Sequence, residues 1–334
     1  MNEKGNGRDN NRVPLFKQVP LKVPFVISLA VSDFCNFRCV YCKHSQPASG
    51  NEKMLSWDEF VHIGEEIKQL YSRRGQKAKV ISICGTGEPL TNKLLPEMIK
   101  YCKDHDLADR IELTTNGSLL THELSKRLIE AGLTRLLVSV QGINAEEYRK
   151  VCGYDIDYAR FMDEIRYFYE NKRDCSVYVK TVDIALKDGE QDKFYDLFSP
   201  IADVVNIESV IDVFDGVDYS NLVVDKNISR YGYAYKERKC CSDIFMRINI
   251  ETNGLVGVCA CHYPLLYIGN IQKQHLSDIW NGEVHKKYMK LHLSGRRNEI
   301  PLCADCDTFF KSGHPADNLD EHADEILKLI DSMN

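Results

Sequence analysis

Three cysteines, Cys35, Cys39 and Cys42, stand in the phrase SDFCNFRCVYC, directly after a short apolar run. The spacing C-x3-C-x2-C offers three thiolates to a centre that takes four ligands. An iron–sulfur cube held by three cysteines leaves one iron open to a small molecule, so the pattern points to chemistry at that iron beyond electron storage. Two other readings compete: a zinc site completed by His44, or unconnected buried thiols. A second group near the C-terminus comprises Cys240, Cys241, Cys259 and Cys261, then the C-x2-C pair Cys303 and Cys306. Cysteines flanking a hairpin and followed by such a pair suit an all-thiolate zinc ribbon or an iron–sulfur cluster. Cys84, Cys102, Cys152 and Cys175 are scattered through apolar or helical stretches and read as buried or incidental thiols.

Positioning these groups requires a regular scaffold. From about residue 25 to about residue 225 the chain alternates strand-like and helix-like segments. FVISLAVS reads as a strand that delivers the cysteine loop at its C-terminal end. LSWDEFVHIGEEIKQLY carries apolar residues at helical spacing, with Ser56 as N-cap and Glu59 three residues on. KVISICG, RIELTTNG, RLLVSVQG, VYVKTVDIAL and DVVNIESVI read as further strands; LLPEMIKYCKDH, THELSKRLIEAG and NAEEYRKVCG read as helices between them. Regular alternation with Val- and Ile-rich strands predicts a parallel sheet with helices outside. In such folds the reactive groups sit in loops after strand C-termini. The cysteine loop falls there, and so do Gly85-Thr86-Gly87-Glu88-Pro89, Thr114-Thr115-Asn116-Gly117, and Ser139 with Gln141. Glycines let backbone approach a ligand closely, and short hydroxyls and amides suit a polar cofactor.

These motifs together resemble the radical S-adenosylmethionine (SAM) family. The resemblance implies a partial (β/α)6 TIM-like barrel and a 4Fe–4S cluster on Cys35, Cys39 and Cys42, whose open iron chelates SAM. It places Tyr41 at the aromatic position before the third cysteine and matches the GTGEP segment (Gly85, Thr86, Gly87, Glu88, Pro89) to a motif that contacts the SAM amino group. Thr86 departs there from the commoner glycine. Thr115, Asn116, Ser139 and Gln141 match strand-end segments that line the methionine and ribose, with Ser139 as the candidate ribose contact. It further implies reduction by a flavodoxin or ferredoxin-type donor, cleavage of SAM to a 5′-deoxyadenosyl radical, and hydrogen-atom abstraction from a substrate at the barrel mouth.

Beyond Tyr231 the composition shifts. INIETNGLVGV reads as a hairpin turned at Asn253-Gly254. The run from Cys241 through Gly254 to Cys259, the phrase LYIGNI…LSDIW and the closing pair resemble the SPASM and twitch extensions that bind auxiliary clusters. A full SPASM pattern needs more cysteines, and none follows Cys306. The resemblance therefore implies one auxiliary 4Fe–4S cluster, on Cys241, Cys259, Cys303 and Cys306, with Cys240 and Cys261 as alternates. The domain reading is a polar N-terminal extension over 1–24, unstructured before Val13; a core barrel over 25–230; a cluster domain over 231–312; and a C-terminal helix over 313–334.

Composition limits the partners. A net charge of −6 without a basic tract gives no sign of nucleic-acid binding. The longest apolar run, VPFVISLAV from Val23, is too short to cross a membrane and does not read as a signal peptide. Thirteen cysteines clustered by motif fit metal binding in the cytoplasm rather than disulfides. The expected activity is an oxidoreductase acting on a small polar molecule such as a sugar or amino-sugar alcohol. Peptide modification is the alternative, weakened by the two dozen residues that precede the barrel, and a non-catalytic iron–sulfur carrier is a third. Lys180, Asp183 and Glu208 are candidate bases, and Glu208 is also a candidate substrate contact.

Overall fold

A computed structural model describes residues 3–4, 12–222, 229–231, 234, 237–259 and 263–332. Six strands follow one another in the sheet in chain order, all parallel: β2 (Val26–Leu29), β3 (Ala78–Ile83), β4 (Ala108–Thr115), β5 (Arg135–Ser139), β6 (Ser176–Val182) and β7 (Val204–Glu208). The strands at the two ends of this run, β2 and β7, do not pair with each other. Instead β1 (Glu3–Lys4) continues the sheet beyond β7, and β8 (Arg247–Ile250) lies parallel to β2. The barrel is therefore open, the α/β architecture expected. One face of these strands is bulky and apolar, with Ile27, Ile81, Leu113, Leu136, Val138 and Val179 all fully buried, while the alternate residues Ser28, Cys84 and Val182 line the barrel cavity.

Helices α1 (Trp57–Arg74), α2 (Leu95–Asp104), α3 (His122–Glu130), α4 (Ala145–Cys152), α5 (Tyr158–Asn171) and α6 (Gln191–Phe198) cover the outer face. Local chemistry defines the first: the Ser56 hydroxyl accepts from the Glu59 amide while the Glu59 carboxylate accepts from the Ser56 amide, and Gly75 ends the helix with φ of 66°. Two departures from expectation concern short-range competition. VYVKTVDIAL stops being a strand at Val182, because the Asp183 carboxylate accepts from the Ile184 and Val210 amides and turns the chain. The segment before β2 is only partly a polar extension: Leu15, Val19 and Val23 are buried in the main core.

After a short helix α7 (Asp243–Met246), the expected hairpin forms between β8 and β9 (Leu255–Gly257), with Gly254 at φ 81°, and β10 (Tyr267–Asn270) adds antiparallel to β9. Because β8 also pairs with β2, one ten-stranded sheet runs through the boundary expected near residue 230. The helical stretch after it is broken into α8 (Leu276–Trp280) and α9 (Glu283–Leu293) at Gly282. Two short helices, α10 (Pro301–Ala304) and α11 (Thr308–Ser312), carry and follow the last cysteine pair. The tail is not one helix from residue 316. Regular α-helix begins at Ala323 as α12 (Ala323–Asp331), since Asp320 turns its carboxylate to the amides of Lys239 and Cys240 and thereby leaves the helix. Among the described residues no helix is long and apolar enough to cross a membrane.

Candidate active site and auxiliary metal centre

The loop after β2 carries Cys35, Cys39 and Cys42 and is fixed from three sides. Against α4, the Arg38 amide donates to the Cys152 carbonyl at 2.8 Å and the Val40 amide to the Val151 carbonyl at 2.9 Å. Against the end of β4, Asn36 accepts from Asn116 Nδ2 at 2.9 Å and donates to the Ser118 hydroxyl at 2.8 Å. Against β5, the Tyr41 hydroxyl donates to Gln141 Oε1 at 2.5 Å, while Gln141 Nε2 donates to the Ser139 carbonyl at 3.2 Å. Burial pushes the Cys35 thiol up to about 12 and the Cys42 thiol up to about 11. Cys39 is also raised, first by its neighbour Cys152 and then by burial. A bound metal would displace these protons, since a cluster takes its ligands as thiolates.

The GTGEP segment braces the same loop. Glu88 is 3% exposed; its Oε1 accepts from the Leu90 amide at 2.9 Å and the Thr115 hydroxyl at 2.6 Å, and its Oε2 from the Asn116 amide at 2.7 Å. Burial raises its pKa while these donors lower it. Its backbone amide donates to the Phe34 carbonyl at 2.7 Å. Glu88, Thr115, Asn116 and Gln141 thus spend their side chains joining the strand-end loops. Pro89 opens a 3-10 turn at Pro89–Thr91. A Cβ on Gly87 would lie 2.2 Å from the Ser32 carbonyl oxygen and 2.8 Å from that of Phe34, so no larger residue fits. Gly87→Ala is therefore expected to displace the loop and weaken SAM binding at least about tenfold, measured by equilibrium binding to reconstituted protein.

A cavity of about 280 Å³ opens beside these loops. Of the residues singled out in the sequence, Tyr41, Gly85 and Thr86 line it, as does Cys84. It is completed by groups that no motif marked: Asp33, Arg230, Asn249, Glu251 and Tyr263. Burial raises Glu251, whose carboxylate accepts from the Tyr267 hydroxyl. The three candidate bases sit behind its wall, where Glu208 touches Arg230 and Asp183 touches Val210, both of which line it. Lys180 Nζ lies 3.0 Å from Glu208 Oε2, Arg230 reaches the same oxygen at 3.3 Å, and Asp183 is held by its two amides. None of the three lines the cavity. Arg230, from a remote segment, was signalled by nothing in the sequence.

The C-terminal cysteines gather at a second, smaller cavity of about 30 Å³. Cys241, Cys259, Cys303 and Cys306 all line it, with His292 and Arg297. Cys240 is buried outside that lining, its amide tied to Asp320, and Cys261 lies outside the described residues. Arg297 donates to the carbonyls of both Cys303 and Cys306, at 2.9 Å to the latter, and packs on the Phe309 ring. Burial pushes the Cys303 thiol up to about 11, with Cys306 adding to it and Arg297 opposing. Among the described residues no three His, Cys, Asp or Glu side chains converge to hold a single ion. Four cysteines on one small cavity give an all-thiolate donor set, the kind that holds zinc or an iron–sulfur cluster. The two cavities are linked by β8, because Asn249 lines the first and donates to the carbonyl of Cys259 in the second.

An open parallel barrel with three enclosed thiols at its mouth, and a thiol-lined pocket on the sheet's extended edge, defines an iron–sulfur enzyme of two metal sites. A family model for the radical SAM superfamily matches residues 29–197, and one for an iron–sulfur cluster-binding domain, SPASM, matches residues 240–307. The chain belongs to the radical SAM superfamily. Its cofactors are accordingly SAM, a 4Fe–4S cluster that binds it, and auxiliary iron–sulfur ligation in the C-terminal part, which replaces the zinc and bare-thiol readings. An AdoMet-dependent heme synthase of Methanosarcina barkeri is 26% identical over 305 residues, covering 79% of this chain and 84% of that one. A probable GTP 3′,8-cyclase of Methanococcus maripaludis is 37% identical, but over only 37% of this chain and 38% of the cyclase. Among solved structures, BtrN in complex with AdoMet and 2-DOIA superposes with a TM-score of 0.54 at 20% identity, covering 85% and 93% of the two chains. SuiB of Streptococcus suis bound to S-adenosylmethionine gives 0.61 at 15% identity, covering 89% and 73%. At such identities these two share the fold.

Proposed function

We propose that this protein is a radical SAM oxidoreductase that takes a hydrogen atom from a carbinol carbon of a small polar molecule, such as a sugar or amino-sugar alcohol. In this reading Cys35, Cys39 and Cys42 hold the SAM-binding cluster, and Cys241, Cys259, Cys303 and Cys306 hold one auxiliary 4Fe–4S cluster of the twitch type. When bound, the two clusters supply the electron that cleaves SAM and an acceptor for the electron the substrate radical gives up. Gly85, Thr86 and Tyr41 bound the space for SAM and substrate, and the Glu88 knot holds their loops still. Asn249, Arg230 and Asp33 offer a polar molecule both donors and acceptors. Oxidation of an alcohol also releases a proton. Glu251, raised by burial and facing the cavity, suits that role better than Lys180, Asp183 or Glu208.

The observation that carries the reading is the mixed-charge cavity of about 280 Å³ between the barrel mouth and the SPASM-type hairpin. Its lining sets charged and polar groups among apolar walls, the surface that orients a small polar ligand. BtrN, whose complex holds AdoMet and 2-DOIA, supports a small-molecule substrate by analogy of fold. SuiB, seen bound to the precursor peptide SuiA, supports the peptide alternative by the same kind of analogy. A flavodoxin or ferredoxin-type protein is the expected reductant. The test supplies reduced protein and SAM with polyols, amino sugars or peptides deuterated at the reacting carbon. Deuterium in 5′-deoxyadenosine from a labelled alcohol is expected; transfer from peptides alone would establish the alternative.

A further inference from the structure

His292, in α9, is 1% exposed and lines the small cavity together with Cys241, Cys259, Cys303 and Cys306. Its Nδ1 lies 3.2 Å from the backbone nitrogen of Cys241. A peptide N–H can only donate, so Nδ1 presents its lone pair, and the proton of this ring resides on Nε2. That same contact is incompatible with a doubly protonated ring. Nε2 is buried and meets no hydrogen-bond acceptor among the described residues. A buried N–H without an acceptor is rare in native proteins and calls for a partner at that spot. Of the other polar groups on the cavity wall, Arg297 is a donor that directs its guanidinium to the carbonyls of Cys303 and Cys306, Asp243 is paired with Arg247 at 3.2 Å, and Thr308 donates its hydroxyl to the Asp212 carbonyl; none of them meets Nε2. No cysteine sulfur meets Nε2 either, so what this thiol-lined cavity leaves to accept the proton is a sulfide of the cluster those thiols would hold.

We propose that His292 donates an Nε2–H···S hydrogen bond to a bridging sulfide of the auxiliary cluster and thereby sets how readily that cluster accepts an electron. The inference rests on the assignment of Cys241, Cys259, Cys303 and Cys306 as its ligands. Each added electron makes the cluster sulfurs more negative, so a donor aimed at them stabilises the reduced state more than the oxidised one. With its other nitrogen the ring also holds the backbone of Cys241. His292 is thus a positioning residue placed to hold one ligand and tune the cluster with a single side chain.

The experiment uses the full chain carrying Cys35→Ala, Cys39→Ala and Cys42→Ala, so that only the auxiliary cluster remains, reconstituted anaerobically. Its reduction is followed potentiometrically by electron paramagnetic resonance. Replacing the donor in His292→Leu is expected to lower the reduction equilibrium about tenfold, which is about 59 mV for a one-electron couple. His292→Gln, whose amide nitrogen reaches about as far as Nε2, is expected to restore most of it. In the parent, pulsed resonance on 15N-histidine-labelled protein is expected to show nitrogen coupling and an exchangeable proton at the reduced cluster. An unchanged potential in His292→Leu, an equal loss in both variants, or a parent without the histidine coupling would each overturn the hydrogen bond. A parent that binds no cluster at all would overturn the ligand assignment, and the hydrogen bond with it.

Discussion

Cys39→Ala is expected to reduce the dithionite-driven cleavage of SAM to background, a fall of at least about a thousandfold, or ~4 kcal/mol of barrier. The expected size follows from geometry. Cys39 is the middle of the three thiols and the one pressed against α4, where the flanking amides of Arg38 and Val40 are both tied to helix carbonyls. The loop cannot slide to offer another donor. Cys152, the neighbouring thiol, is committed to the Tyr148 carbonyl at 2.9 Å. Iron should fall by about four atoms per chain while the C-terminal iron is retained. Chromatographic assay of 5′-deoxyadenosine beside iron and sulfide analysis checks both. A variant that still makes 5′-deoxyadenosine would end the assignment of the N-terminal site.

Cys303→Ser separates the two metal sites in the other direction. The hydroxyl is a far poorer iron ligand than a thiolate, and among the described residues no cysteine beyond the other three lines the cavity wall to replace it. The auxiliary iron, about four atoms per chain, is expected to be lost. Substrate oxidation should drop at least about a hundredfold, while cleavage of SAM by dithionite in the absence of substrate continues. Melting temperature should fall as well, because metal bound to a folded site contributes directly to folding free energy. The fall should exceed that of Cys240→Ser, whose side chain is buried but outside the cavity lining. If Cys240→Ser instead removed the iron, the two adjacent cysteines would have to exchange roles.

The parts of the site that were legible in the sequence are those that depend on neighbours along the chain. A strand followed by C-x3-C-x2-C, a strand followed by GTGEP, and a hairpin turned at Asn253-Gly254 are local statements, and local hydrogen bonds enforce them. Glu88 shows the limit. Its motif was recognisable, yet its partners Thr115 and Asn116 lie on another strand, and only the folded chain reveals that the carboxylate serves as a brace between loops. Lys180 and Glu208 looked like free catalytic groups at strand ends. Adjacent parallel strands put them in one ion pair, with Arg230 joining from beyond. The segment around Leu15, Val19 and Val23 looked polar overall, although its three spaced apolar side chains are enough to anchor it in the core.

By itself the sequence determined the run of strands β2–β7, the parallel sheet they form, the two cysteine groups and, through their motifs, the family they resemble, because periodicity and spacing act over a few residues. Tertiary structure alone decided that β8 joins the barrel sheet, that Lys180 and Glu208 pair with each other, and that Arg230, Glu251 and His292 face the two sites. Those outcomes depend on packing between segments more than a hundred residues apart in some cases, where the chain's own order carries no record of which side chains will meet.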